Sequence, residues 1–245
     1  MALEKLIGHR TSSAEEHWIS ISDLMAGLMV IFLFVAITYI RPIIATQNEV
    51  SDIVVSWKDT ELDIHKALNQ EFEHDLDNWH AELDRETMSI RFKAPEVLFK
   101  SGTADLQPEF QIILDDFFPR YLDVLNRFQN SISEIRIEGH TSSEWEGAAT
   151  EYEAYIKNME LSQTRTRSVL EYVLGLKSIA LFKEWARPKL TANGLSSSQL
   201  VYKDSKEDKA QSRRVEFRVR TDTKQHIIQV LEAIDGTNVR VSRIQ

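Results

Sequence analysis

The stretch Trp18–Ile40, WISISDLMAGLMVIFLFVAITYI, decides how this chain is organised. It is an apolar run carrying one acid, Asp23. From Ile19 to Ile40, read as a helix, it would be about 33 Å long at roughly 1.5 Å per residue, enough to cross a hydrocarbon core of about 30 Å. It is therefore expected to be a transmembrane helix. The run is longer than the apolar part of a signal peptide, and no small-residue cleavage site follows Ile40, so the helix should remain as a signal anchor.

Asp23 is the anomaly. An ionised carboxylate near hydrocarbon needs a polar partner, a water-filled path or a proton. At roughly 100° per residue, Ser20, Asp23, Gly27, Val30, Phe34 and Thr38 share one sector of the helix. Small residues there admit a close neighbour, so this sector suits a protein-facing role. Two readings of Asp23 stay open on residues alone. It could carry a proton or ion, or it could cap the helix in the headgroup region together with Ser20 or Ser22.

The 245 residues leave room beyond the span for one domain of ordinary size. With no cysteine, disulfides and thiolate sites are excluded. A net charge of -9 argues against a nucleic-acid partner. Lys5 and Arg10 precede the span while Arg41 and Lys58 follow it, a slight bias towards a cytoplasmic N-terminus.

Residues 1–17 form a polar leader and 18–41 the span, with Pro42 expected to end or bend the helix because it lacks an N–H. Residues 42–87 are expected to be a helical connector. Ile53, Trp57, Ile64, Leu68, Phe72, Leu76, Trp79 and Leu83 recur at helical steps, a pattern suited to pairing with a second copy. His65, His74 and His80 lie among its many acids, but no three share a metal-ligand spacing on one face, so no metal is expected.

From Met88 short strands alternate with helices. Strands are expected at Ser89–Lys93, Ile132–Glu138, Lys189–Ala192 and Arg214–Arg220, with amphipathic helices over Glu109–Phe128 and Asn158–Leu176. Residues 195–212 are expected to be a polar loop, and 222–245 a helix followed by a strand. The fold class is α/β: a single N-terminal transmembrane helix, a helical connector, and an α/β sandwich of one sheet with helices on a face.

Four motifs occur together: VLFKSGTADLQPEF from Val97, GHTSS at Gly139–Ser143, NMELSQTRTRSV at Asn158–Val169, and SRRVEF at Ser212–Phe217. Their order and spacing resemble the OmpA-like peptidoglycan-binding domain across residues 88–221. The span, with Asp23, Met25, Ala26 and Met29 behind a short leader, resembles the flagellar stator protein MotB, as does NMELS. Within that group SISDLMAGLMVIFLFV is most similar to the ZorB-type membrane subunits of Zorya anti-phage defence systems.

The resemblance implies a non-enzymatic stator subunit of a proton-driven membrane motor, anchored to peptidoglycan in the bacterial inner membrane. Asp23 would be the ion-carrying carboxylate, for H⁺ or Na⁺, with no bound cofactor. Two copies would sit as a homodimer inside a pentameric ring of a MotA/ZorA-like membrane partner. The folded domain would be periplasmic, so cytoplasmic effectors would be reached only indirectly. Asn158, Leu161, Arg165, Ser142 and Arg214 fall on the peptidoglycan-binding motifs, with Arg165 the partner of a diaminopimelate carboxylate. One position departs from the family: its usual acid after His-Thr is Ser142 here, leaving the ligand's ammonium without a partner unless Glu144 or Glu146 supplies one. The loop from Ser143 to Lys157 also reads as longer than usual. Two other roles stay open, a flagellar stator subunit and a static wall tether in which Asp23 only caps a helix. No phosphate-cradling glycine loop and no nucleophile elbow points to bond chemistry.

Overall fold

The computed structural model describes residues 12–93, 95–100, 102–222 and 228. The expected leader up to residue 11, and the helix and strand expected beyond residue 222 apart from Ile228, lie outside them. The chain divides into two units: Met1–Val55 with Gln225–Gln245, and Ser56–Lys224.

The first unit contains the start of α1 (Ser12–Phe72). Ser22–Arg41 within it is long and apolar enough to span a membrane, and Leu24, Met29, Phe32 and Phe34 are all exposed. The Thr38 hydroxyl turns inward on its own helix, donating to the carbonyls of Phe34 at 2.9 Å and Val35 at 2.8 Å. Of the two outcomes expected at Pro42, an end or a bend, the structure excludes the end: α1 runs on through it. An internal proline deletes one hydrogen bond, and long helical segments on both sides outweigh that single loss.

The second unit is built on a five-stranded sheet of order β1-β2-β7-β3-β4. Its strands are β1 (Ala81–Asp84), β2 (Ser89–Phe92), β3 (Ile132–His140), β4 (Leu190–Gly194) and β7 (Arg214–Thr221). β3 and β4 run parallel; the remaining neighbours are antiparallel. The helices are α2 (Pro95–Leu98), α3 (Pro108–Asn126), α4 (Glu151–Gly175), α5 (Lys183–Ala186) and α6 (Lys209–Ser212). A small hairpin, β5 (Tyr202–Lys203) and β6 (Lys206–Glu207), sits where the sequence suggested only a loop.

Strand alternation sorts the residues into two faces. Ile90 and Phe92, Ile135 and Ile137, and Val215, Phe217 and Val219 turn to the buried side. There they meet Phe110, Leu114, Phe117, Phe118 and Tyr121 of α3 and Val169 and Val173 of α4. The opposite face is ionic. Buried Glu216 accepts from Arg214 Nε at 2.6 Å and Arg91 Nε at 3.1 Å, and Arg136 bridges Glu134 at 2.7 Å and Glu138 at 3.4 Å.

The end of α1 belongs to this core. Ile64, Leu68 and Phe72, one helical stripe, are almost fully buried in it. From Ile64 on, the stripe expected to pair with another copy is thus taken up by the unit's own core. Residues 73–87 also differ from the helical expectation. The chain turns over 73–80 and re-enters as β1. HDLDNWH, from His74, is rich in the Asp and Asn that favour turns, and His80 adopts φ +51. The turn returns Trp79 to rings at 5.9 Å (Phe72) and 6.0 Å (Phe117). Arg120 of α3 fastens the junction, donating to Glu71 Oε1 at 2.7 Å, the Glu71 carbonyl at 2.8 Å and Asp75 Oδ2 at 2.9 Å.

Candidate functional site: a cavity between the end of β3 and helix α4

Two glycines set the geometry. Gly139 of β3 and Gly194 of β4 are register partners at the ends of parallel strands. A Cβ on Gly194 would lie 2.2 Å from the Gln163 nitrogen, and one on Gly139 would lie 2.7 Å from Thr166 Cγ2. The strands therefore meet α4 directly, at residues 162–166 around Arg165. Gly194 is thus a seat for this helix.

Helix α4 begins seven residues before the sequence expectation. Thr150 caps it, accepting from the Glu153 amide at 3.1 Å, while Glu153 Oε2 accepts from the Ala149 amide at 3.0 Å. The Thr-Glu-Tyr-Glu run at 150–153 is a capping signal visible in the sequence. The connection from β3 is therefore 141–150, not Ser143–Lys157. Asn158 lies within α4, buried, and its Nδ2 donates to the carbonyls of Ser142 and Glu144, both at 3.1 Å. Ser143 is held by Glu207, through its amide at 3.0 Å and through its hydroxyl.

These contacts leave a cavity of about 320 Å³. The resemblance-implied residues Ser142, Asn158, Leu161 and Arg165 all line it, joined by Arg213, Trp145, Glu144 and Glu146. Arg214 does not. It is buried against Glu216 at 2.6 Å and donates to the carbonyls of Gln199 and Ser212, both at 3.2 Å. Of the adjacent arginines, Arg213 at the C-terminal end of α6 lines the cavity, while Arg214 opens β7 on its ionic face.

Arg165 is the chemical centre. Its Nε donates to the Thr103 carbonyl at 2.9 Å and its guanidinium lies 4.8 Å from the Phe99 ring centre. Among the described residues no carboxylate pairs with it. Burial, and then the neighbouring Arg213 charge, push its pKa down to about 10. A half-buried guanidinium facing another cation is stabilised by any anion that enters.

Behind the cavity, Glu138, His140 and Glu216 bring ligand-type atoms within 4.8 Å of one another. A metal ion fits the spacing but not the charge, because Arg91, Arg136, Arg214 and Arg218 already surround the two carboxylates. His140 is buried beside these carboxylates. Among the described residues neither ring nitrogen has a hydrogen bond, with Glu138 and Glu216 at 3.7 and 3.6 Å from Nε2.

Fold and cavity define an OmpA-type domain carried behind a candidate membrane-spanning helix. Residues 98–214 match the OmpA family. Among solved structures, similarity extends to a putative MotB-like protein from Desulfovibrio vulgaris, at 23% identity with 71% of this chain and 96% of that chain covered (TM-score 0.47). It extends also to the cell wall anchor of the T6SS from Pseudomonas aeruginosa, at 21% identity with 63% and 97% covered (TM-score 0.45). The Zorya protein ZorB of Escherichia coli strain Crooks is 44% identical over 234 residues, covering 94% of this chain and all of the relative. The chain belongs to the ZorB family.

Proposed function

We propose that this chain is the MotB-like stator subunit of an ion-driven membrane motor in a Zorya-type anti-phage defence complex, anchored to peptidoglycan. What carries the reading is full-length kinship to ZorB in a chain that pairs one acid in an apolar span with a cavity holding an unpaired guanidinium. Asp23 takes up H⁺ or Na⁺ on one side of the membrane and releases it on the other. Its change of charge alters its contacts with a ring of partner subunits. One charge moving through 100 mV supplies about 2.3 kcal/mol, enough to bias a small conformational step. Two copies of the chain stand inside a five-membered ring of a MotA/ZorA-like protein, with the N-terminus cytoplasmic and the folded unit periplasmic.

At the wall, Arg165 binds a carboxylate of the peptidoglycan stem peptide by charge-assisted hydrogen bonds. Leu161 offers an apolar contact in the same cavity. Asn158, tied up with two carbonyls, shapes the site instead of touching ligand.

The test is phage protection and swimming motility in cells carrying the chain with its partner proteins, as wild type and as Asp23→Asn. Protection lost in the variant with motility unaffected and assembly intact is the expected result. Motility restored by wild type alone would make it a flagellar stator. Indifference to the substitution in both assays would leave a wall tether.

A further inference from the structure

A second cleft, of about 240 Å³, shares no residue with the cavity of Arg165 and lies between the end of α1 and the turn joining β1 to β2. Lys58, Glu61, Leu62 and His65 line it from α1, at the i, i+3, i+4 and i+7 positions that share one helix face. Arg85 and Met88 line it from the turn. Three of these six side chains are basic, and none of the three makes an ion pair or side-chain hydrogen bond to a described residue. The single acid, Glu61, is engaged: its Oε1 accepts from the Thr221 hydroxyl at 3.0 Å.

Exposed lysines and arginines are ordinarily just solvated. These face one another across rigid supports. Asp84 Oδ1 accepts from the Thr87 amide at 2.8 Å and hydroxyl at 2.9 Å, Arg91 Nη2 donates to the same hydroxyl oxygen at 3.2 Å, and Met88 is buried at φ +52. The turn that carries Arg85 is therefore fixed before any ligand arrives. Arg85 stands close enough to His65 for its charge to act on the ring: burial first, and then Arg85, lower the histidine's pKa, and Asp84 opposes them. Asp84 is itself paired with Arg91 at 2.7 Å. Like charges brought together without a counter-charge are relieved by an anion. A carboxylate offers two oxygens in one plane, which a single guanidinium fork satisfies. Cations arriving from two turns of a helix and from the opposite wall suit the several oxygens of a tetrahedral phosphate.

We propose that this cleft binds a phosphate group, free or on a lipid headgroup, between Lys58 and His65 of α1 and Arg85 of the β1–β2 turn. The occupant ties the end of α1 to the edge hairpin of the sheet. The site is independent of the wall and motor readings, since neither Arg165 nor Asp23 takes part.

The experiment is equilibrium dialysis of detergent-solubilised full chain against radiolabelled inorganic phosphate at constant ionic strength. An Arg165→Ala background keeps the wall cavity from contributing. Arg85→Gln and Lys58→Gln, both at exposed positions, should each weaken phosphate by about tenfold or more, the scale of one charge-assisted hydrogen bond. Lys66→Gln, at a side chain that pairs with Asp63 at 3.5 Å outside the cleft, should stay within about twofold. Acetate should compete at least about tenfold less well than phosphate. Water-soluble dihexanoyl phosphatidic acid competing more tightly than glycerol phosphate would mark a lipid headgroup as the source, and equal competition a free phosphate; either result upholds the site. Absence of phosphate binding, binding unchanged in both Arg85→Gln and Lys58→Gln, or acetate equal to phosphate would overturn the assignment. None of these outcomes bears on the motor and wall readings, which the Asp23 and Arg165 variants test separately.

Discussion

The Asn158 side chain donates to the Ser142 carbonyl at 3.1 Å, joining the interior of α4 to the strand-end loop that forms one wall of the cavity. A second bond from the same nitrogen reaches Glu144. With Asn158 buried, the amide has no water to exchange for. Asn158→Ala should therefore release the 141–146 segment and cost about 1–3 kcal/mol of stability, since two carbonyls lose their donor. Sacculus pull-down by the full chain should fall although Arg165 is intact. Asn158→Asp, unable to donate when ionised, should fail in the same way. Normal wall binding by either variant would show that the loop keeps its shape without this clamp.

Phe72 supports a prediction about where the domain begins. It is fully buried, with the Phe117 ring at 5.2 Å and the Arg120 guanidinium 5.0 Å from its ring centre. Phe72→Ala should destabilise the folded unit by about 3–5 kcal/mol. A fragment starting at residue 88 should fail to fold, whereas one starting at Ser56 should melt cooperatively. Equal melting of the two fragments in calorimetry would show the end of α1 to be dispensable.

These contacts also explain what sequence could and could not reveal. The span, β2, α3, β3, β4 and β7 were legible because period-2 and helical-period apolar patterns persist over their whole lengths. The turn at 73–80 was hidden because Leu76, Trp79 and Leu83 continue a helical spacing by coincidence while packing on the core, Trp79 against rings of α1, β2 and α3. The early start of α4 was legible in Thr150 and Glu153 but overshadowed by the motif at Asn158. Residues lining the cavity could be placed by motif. Which arginine of the Arg213–Arg214 pair faces it depended on β7's register with β3, where His140 opposes Arg214. That Lys209 pairs with Glu144, distant in sequence, was equally hidden. Neither fact has a local signature.

Gly194 gives a steric test of the helix seat. A methyl group there would lie 2.2 Å from a backbone nitrogen of Gln163, which cannot rotate away. Gly194→Ala should push α4 from the sheet, lowering the melting temperature and, because Arg165 and Leu161 ride on that helix, weakening sacculus binding. Gly175→Ala is the control. A Cβ there meets nothing within 4 Å, so the melting temperature should hold. If Gly194→Ala leaves both stability and binding unchanged, the close approach of β4 to α4 does not position the site.

His140 sets the expected response to acid. It is buried with Arg214, Glu138 and Glu216 around it, and burial, the largest influence, holds its pKa below the ordinary histidine value despite the two carboxylates. The folded unit thus keeps His140 neutral at a pH where the unfolded chain has already bound a proton. Stability is present above about pH 6.5 and is lost as pH falls from there towards the folded value. The slope from this one group is at most about 1.4 kcal/mol per pH unit. Glu138 and Glu216, held below the usual carboxylate range by His140 and the arginines against the cost of burial, add a separate loss at lower pH, through about 4.5 and below. In melting temperatures measured from pH 7.5 to 3.5, His140→Asn should flatten the upper part of the decline and shrink the lower part to the share that the arginines carry. An unchanged upper slope in the variant would assign the decline to other groups, His65 among them, whose pKa is also lowered by burial.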